Sequence, residues 1–342
     1  MTEEKTILFL YNTGLTKVFI KNLRASGYNI INFYENFSLP PKNIYDKWMN
    51  IVWRLFLRRT DYWEKRNKRL FVKTCLKQLE QFLSKKIDYA VFIRADMYSD
   101  NLFRKLINKQ VYISSYQSDG IHEKTKNILN IAPYLNQVFC FDPADVAKYK
   151  NIGFKFLTNC YFPDEKYEFE KNLIRETKTV YYAGSGLPDR INVMEKLNHY
   201  FQETDFVLEA TLVVPRNIIA KRENNIKFAH DYFDYGDYIK IISGSYALVD
   251  LVTDEHDGLS YRFFEALYYK KKLITNNCHV KKYDFYNPNN IFITDFSDLT
   301  NLQEWLQGSY EEIPEEISKK YSFDNWLSNM LNLPNKIQIP LP

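Results

Sequence analysis

The sequence contains no C-x-x-C pair, no D-x-D triplet and no full G-x-G-x-x-G turn. Its four cysteines, Cys75, Cys140, Cys160 and Cys278, are scattered, so reduced thiols in the cytoplasm are expected. The five histidines show no ligand spacing, which argues against a structural zinc site. Only Gly14 follows the first apolar run, and the missing glycines count against a dehydrogenase. The opening "MTEEKTILFLYN" starts acidic, and its apolar run is too short for a signal peptide or a membrane span. A net charge of +4 on 342 residues is too small an excess to imply nucleic acid.

Aromatic residues, by contrast, are plentiful at 17%, with 27 tyrosines and 25 phenylalanines. Such rings stack on sugars, and an AT-rich genome enriches them equally well. The length suits two domains, each able to bury its own core. Short β-rich runs alternate with helical segments, a pattern that predicts parallel sheets wrapped by helices.

In the first half the strands read 6–12, 29–35, 88–94, 110–118, 137–142 and 154–162, with a helical insert at 43–86. Residues 163–178 are charged and open with a proline, as an interdomain linker does. The rhythm restarts with strands at 179–184, 205–214, 226–230, 246–251, 272–277 and 290–294. The tail 322–333 reads as an amphipathic helix capped by Ser322 and stopped by Pro334. The division expected is therefore 1–165, 166–321, and a 322–342 helix and tail packing back toward the first domain. Two doubly wound domains in tandem leave a cleft at the carboxyl ends of their sheets, where such folds bind ligands.

Two stretches of the second half carry chemistry. "TVYYAG" runs into "SGLPDR", where Gly184, Ser185 and Gly186 form a strand-to-helix turn. Either this is only a turn, or its amides and Arg190 form an anion site. "DGLSYRFFEALYYKKKLITNN" follows the strand "YALVDL". Gly258 permits close backbone approach, and the amides of Leu259 and Ser260 lie at a helix start. Glu265 can accept two hydrogen bonds from a ribose diol, while Arg262 offsets the charge of a diphosphate. The alternative is an exposed i, i+3 ion pair between Arg262 and Glu265, both projecting away from the apolar face of Leu259, Phe263, Ala266 and Leu267.

This last stretch resembles the nucleotide-binding segment of GT-B glycosyltransferases, which often carry an E-x7-E-like motif. Asp257 stands for the first acid and Lys270 for the usual glycine. More specifically, the chain resembles bacterial glycosyltransferases of lipopolysaccharide and capsule assembly, including the CgeB-like group. The similar blocks are 88–99, 111–120, 136–164, 181–186 and 257–277. The resemblance implies an α/β fold of two tandem Rossmann-like domains (GT-B) facing across a cleft. It implies a sugar moved from a nucleotide-sugar donor to a glycan or glycolipid acceptor in surface polysaccharide assembly. The donor is a co-substrate; no cofactor is expected. Without D-x-D, no metal site is expected either. Asp257, grouped with the catalytic candidates, is left either on the sugar, as the family's first glutamate is, or off it. A nucleotide-sugar epimerase of the same fold and a non-catalytic membrane- or RNA-binding module are the alternatives.

The first half should supply the acceptor side. "SSYQSDGIHE" places Asp119 and His122 in a turn after a strand, where a general base would sit; alternatively Asp119 caps a helix near Ile121. Arg94 and Asp96 end the preceding strand as a structural pair or as an acceptor contact. Residues 53–71 mix cations with Trp53, Leu55, Phe56, Trp63 and Phe71, which suits an anionic membrane surface; single-stranded nucleic acid is the competing partner, and a packed helical hairpin the alternative to both. No nucleic-acid partner is expected. The location follows as cytoplasmic, peripheral at the inner face of the cytoplasmic membrane.

Overall fold

The computed structural model of the chain describes residues 4–164, 177–218, 222–231, 234–252 and 256–342. Most of the linker expected at 163–178 lies outside them. The first elements are β1 (Thr6–Leu10), α1 (Thr16–Ala25), β2 (Asn29–Asn32), α2 (Ile44–Phe56) and α3 (Tyr62–Phe82). β3 (Tyr89–Ile93), α4 (Asp100–Asn108), β4 (Tyr112–Gln117), α5 (Ile128–Ile131), β5 (Gln137–Cys140), α6 (Pro143–Lys148) and β6 (Phe154–Phe156) follow. The second half holds β7 (Thr179–Ser185), α7 (Pro188–Phe201), β8 (Val207–Val213), β9 (Arg222–Glu223), β10 (Ile226–Ala229) and α8 (Tyr235–Gly244). It continues through β11 (Ala247–Asp250), α9 (Tyr261–Tyr268), β12 (Lys272–Thr275), β13 (Ile291–Ile293), α10 (Leu302–Gln307), α11 (Glu315–Lys320) and α12 (Phe323–Met330).

Two compact units result. One comprises Met1–Asn12, Leu23–Phe139 and Asn151–Phe154; the other comprises Thr13–Asn22, Cys140–Lys150 and Lys155–Pro342. The sheet of the first unit runs β2-β1-β3-β4-β5-β6. β1 and β3 are buried at every position. Continuous apolar strands are what a parallel sheet covered on both faces requires. Leu8 pairs in parallel with Ile31 of β2 and Ala90 of β3, so the strand order reverses between β1 and β3. The α2–α3 hairpin is pinned from inside: Arg66 meets Asp46 at 2.6 Å with both side chains buried, and the Tyr62 hydroxyl donates to Asp46 at 3.1 Å. Of the cations in 53–71, Arg66 faces inward, and Arg59 and Lys65 both pair with Asp61 at the surface.

In the second unit the sheet runs β13-β12-β11-β7-β8-β10-β9, reversing between β7 and β11. β9 is antiparallel to β10, an edge hairpin of two residues that the alternation of elements did not reveal. The core fills the sheet face with Val180, Leu208, Val249 and Ile274 against Met194, Leu197 and Phe201 of α7. The strand expected over 154–162 ends at Phe156. Leu157–Phe162 stays buried without a ladder, and Tyr161 instead forms a lone parallel bridge to Ser322. Ser322 caps α12 by accepting from the Asn325 amide at 3.2 Å. Phe323 and Trp326 then pack edge-on against Phe19 of α1. Among the described residues no helix is long and apolar enough to cross a membrane.

Candidate functional site

The reversal point of the second sheet holds a buried charge network. β11 ends on Asp250, which is 2% exposed, and a carboxylate there needs partners to offset its lost hydration. Arg262 donates from Nη1 at 3.0 Å, the Ser260 hydroxyl donates at 2.6 Å, and Thr275 Oγ1 lies 3.4 Å away. The other guanidinium nitrogen of Arg262 donates to the Ala183 carbonyl on β7. Its plane also faces the Tyr182 ring at 5.1 Å, so one side chain of α9 ties together the ends of β7 and β11. Ser260 additionally caps α9, accepting from the Arg262 amide at 3.2 Å.

The Gly184–Gly186 turn lies beside this network. A Cβ on Gly186 would come within 2.6 Å of a Val214 methyl, so the backbone passes too close to the end of β8 for a side chain. From α7, Arg190 donates to the Ser185 hydroxyl at 2.5 Å and to the Leu251 carbonyl at 3.4 Å. Its Nε is buried and has no hydrogen-bond partner among the described residues. No side chain caps α7, whose N-cap is Leu187 and whose first residue is Pro188. The amides at that helix start, with the positive end of its dipole, point where an anion would be bound.

Gly258 is a second close approach. A Cβ there would lie 2.4 Å from the Phe141 ring and 2.8 Å from the Phe141 carbonyl oxygen. Side-chain amides of Asn277 and Asn159 hold the carbonyls of Gly258 at 3.3 Å and Leu259 at 2.9 Å. The Asp257 amide donates to Asp142 at 3.2 Å, and its carboxylate lies 3.3 Å from Nε2 of His279. Burial fixes this loop around Gly258, while Asp257 itself is only half-buried.

Glu265 differs from the expectation. It is 3% exposed and accepts from the hydroxyls of Tyr235 at 3.1 Å and Tyr238 at 2.7 Å. Burial raises its carboxyl above the ordinary carboxylate range, and the two hydroxyls act in the opposite sense. The exposed Arg262–Glu265 ion pair considered from the helical spacing is therefore excluded. Phe263 through Leu267 are all buried, because α9 is covered on more than one side. Two contributors were missed in the sequence: Asp250, and the α8 tyrosines. A carboxylate closing the apolar strand "YALVD" was the available signal for the first.

In the first unit, Arg94 holds Asp96 with two parallel bonds, of 2.8 and 2.9 Å. It also donates to Asp119, whose side chain is 55% exposed. Gln117 donates to Asp96 at 2.8 Å. No helix begins near Ile121: the chain turns until Ile128, so Asp119 is not a helix cap. His122 is exposed, and its Nδ1 accepts from the Lys124 amide at 3.3 Å. Among the described residues no group of three or more His, Cys, Asp or Glu side chains is placed to hold a metal ion.

No family model and no curated protein matches the chain. Solved structures do. A sucrose-phosphate synthase from Thermosynechococcus elongatus matches with a TM-score of 0.55 at 10% identity, over 96% of this chain and 98% of that one. A trehalose-6-phosphate synthase matches at 0.53 and 12% identity, over 96% and 99%. A protein of Listeria monocytogenes assigned as a UDP-N-acetylglucosamine 2-epimerase matches at 0.50 and 7% identity, over 98% and 100%. The shared feature is the fold, two Rossmann-like domains of the GT-B type.

Proposed function

We propose that the chain is a glycosyltransferase that binds a nucleotide-sugar donor at the β7–β11 crevice of its second sheet. One observation carries this reading: the buried Nε of Arg190 has no hydrogen-bond partner among the described residues and lies at the uncapped start of α7, beside the reversal of strand order. Crevices at such reversals are where doubly wound sheets bind nucleotides, and a diphosphate would supply acceptors to the uncapped amides and to this Nε. Arg262 is committed to Asp250 and Ala183, so its part is to hold the crevice in shape and to add positive potential. Glu265 is 3% exposed and already accepts from Tyr235 and Tyr238, so it reaches a ribose diol only if the cover over it moves.

In the transfer an acceptor hydroxyl loses its proton and its oxygen attacks the anomeric carbon. The bond to the nucleoside diphosphate breaks, and its electron pair goes to the leaving phosphate oxygen, which Arg190 and the α7 amides stabilise. We assign the proton to Asp119, held by Arg94, with His122 as the other candidate in the same turn. The acceptor is a glycan or glycolipid of a bacterial surface polysaccharide, on the resemblance of blocks 88–99, 111–120, 136–164, 181–186 and 257–277.

Calorimetry with UDP, GDP, ADP and CMP tests the reading. One of them should bind, and Arg190→Ala should weaken it by roughly 10- to 100-fold, the cost of a lost charged hydrogen bond. Failure of every nucleotide, or unchanged affinity of the variant, removes the proposal. Turnover of the matching nucleotide sugar without acceptor would instead establish an epimerase, whose fold is the same. Transfer should persist in excess EDTA, because protein groups supply the positive charge at the leaving phosphate.

A further inference from the structure

We propose that the outer face of α2 and the turn that follows it, from Ile44 to Leu57, docks onto an anionic lipid bilayer. This goes beyond the donor site and does not depend on it. Ile44, Trp48, Ile51 and Leu55 recur at i, i+4, i+7 and i+11, within an arc of about 60° on the helix. They are 85%, 59%, 53% and 70% exposed. Phe56 and Leu57 extend the ridge into the turn, with Arg58 adopting a left-handed φ of 50° where the chain reverses. A helix of a water-soluble domain ordinarily buries its apolar stripe; α2 buries Asp46 and exposes the stripe.

Charge decides what covers it. Lys47, Arg54 and Arg58 are exposed around the ridge. Between residues 36 and 60 the only carboxylate is Asp46, and it is turned inward onto Arg66. An apolar ridge with a cationic rim and no exposed acid matches acyl chains beneath anionic headgroups. Tyr45 and Trp48, 6.4 Å apart, are the residue types that settle at headgroup level. The contact surface is thus centred on 44–58, upstream of much of the basic stretch 53–71.

The test is sedimentation with vesicles of phosphatidylcholine containing about 30% phosphatidylglycerol, at low salt, beside vesicles of phosphatidylcholine alone. The protein should bind the anionic vesicles and be released by raised salt. A variant carrying Ile44→Ser, Trp48→Ser, Leu55→Ser and Phe56→Ser should bind them about tenfold less. One carrying Lys47→Ser, Arg54→Ser and Arg58→Ser should lose the preference for anionic lipid. Both sets change exposed positions, so melting temperatures should stay close to that of the parent chain. As a check that needs no multiple variant, anionic vesicles should shift tryptophan emission to the blue in the parent chain and much less in Trp48→Phe. The proposal is overturned if the parent chain ignores anionic vesicles at low salt or if the apolar variant binds as well as the parent. It is also overturned if the apolar variant merely abolishes a dimer that does not bind vesicles, which would assign the ridge to a second copy of the chain.

Discussion

Each of the two sheets carries an arginine–aspartate pair where its strand order reverses, and the two pairs are built differently. In the first, Arg94 and Asp96 are two residues apart and pair through a local turn, with Arg94 in the left-handed region at φ 69°. In the second, Arg262 comes from a helix twelve residues beyond Asp250 and bridges two strand ends. The local pair leaves a half-exposed carboxylate, Asp119, at its rim. Beside the bridging pair, the Nε of Arg190 has no hydrogen-bond partner among the described residues. The rim of one reversal point thus carries a carboxylate and that of the other a guanidinium, and the sheets differ in strand order as well. The difference teaches that the chemistry left at the rim of a reversal point depends on which element supplies the arginine.

The largest effect expected from breaking this contrast is on stability. Arg262→Ala leaves Asp250 buried with hydroxyl donors only and removes the tie to β7. It should cost about 3–5 kcal/mol, the range for one partner of a buried ion pair. Arg94→Ala should cost less, about 1–3 kcal/mol, because Asp96 keeps the Gln117 amide and no second strand is released. Urea unfolding of the two variants measures both. Equal losses would mean that the bridge between strand ends adds nothing beyond a neutralised carboxylate.

The sheets were legible because their strands are buried on both faces and so appear as uninterrupted apolar runs, as in "TILFL" and "YAVFI". The helix start at Ser322 was legible from its cap, which acts locally, and that near Ser260 from the turn at Gly258. What escaped was non-local. The run 154–162 is as apolar as a strand, yet after Phe156 its backbone has only a lone bridge. Helical spacing set Glu265 on the polar side of α9, but burial there depends on Tyr235 and Tyr238, which lie about 30 residues earlier. Arg262 was paired by spacing with Glu265, whereas its partner Asp250 lies on a strand. The inward turn of Asp46 likewise depends on Arg66, a helix away, and it inverts which face of α2 meets water.

The comparison sharpens on Glu265, a buried carboxylate that accepts hydrogen bonds from two hydroxyls and none from a guanidinium. Burial raises its native pKa above the ordinary 4.5, so the folded chain holds this proton more tightly than the unfolded chain does. The stability it contributes is then fully present below pH 4.5 and is lost as pH rises through the raised native value. Glutamine stays neutral throughout and suffers no such loss. At low pH, Glu265→Gln should cost no more than about 1 kcal/mol, since Tyr235 and Tyr238 keep amide partners in place of the acid. Toward neutral pH the deficit should shrink or reverse. Urea unfolding of parent and variant at pH 4.5 and pH 8 reads the difference. A deficit that instead grows with pH would mean that the ionised carboxylate of Glu265 is the better-bound form and that burial does not decide its protonation.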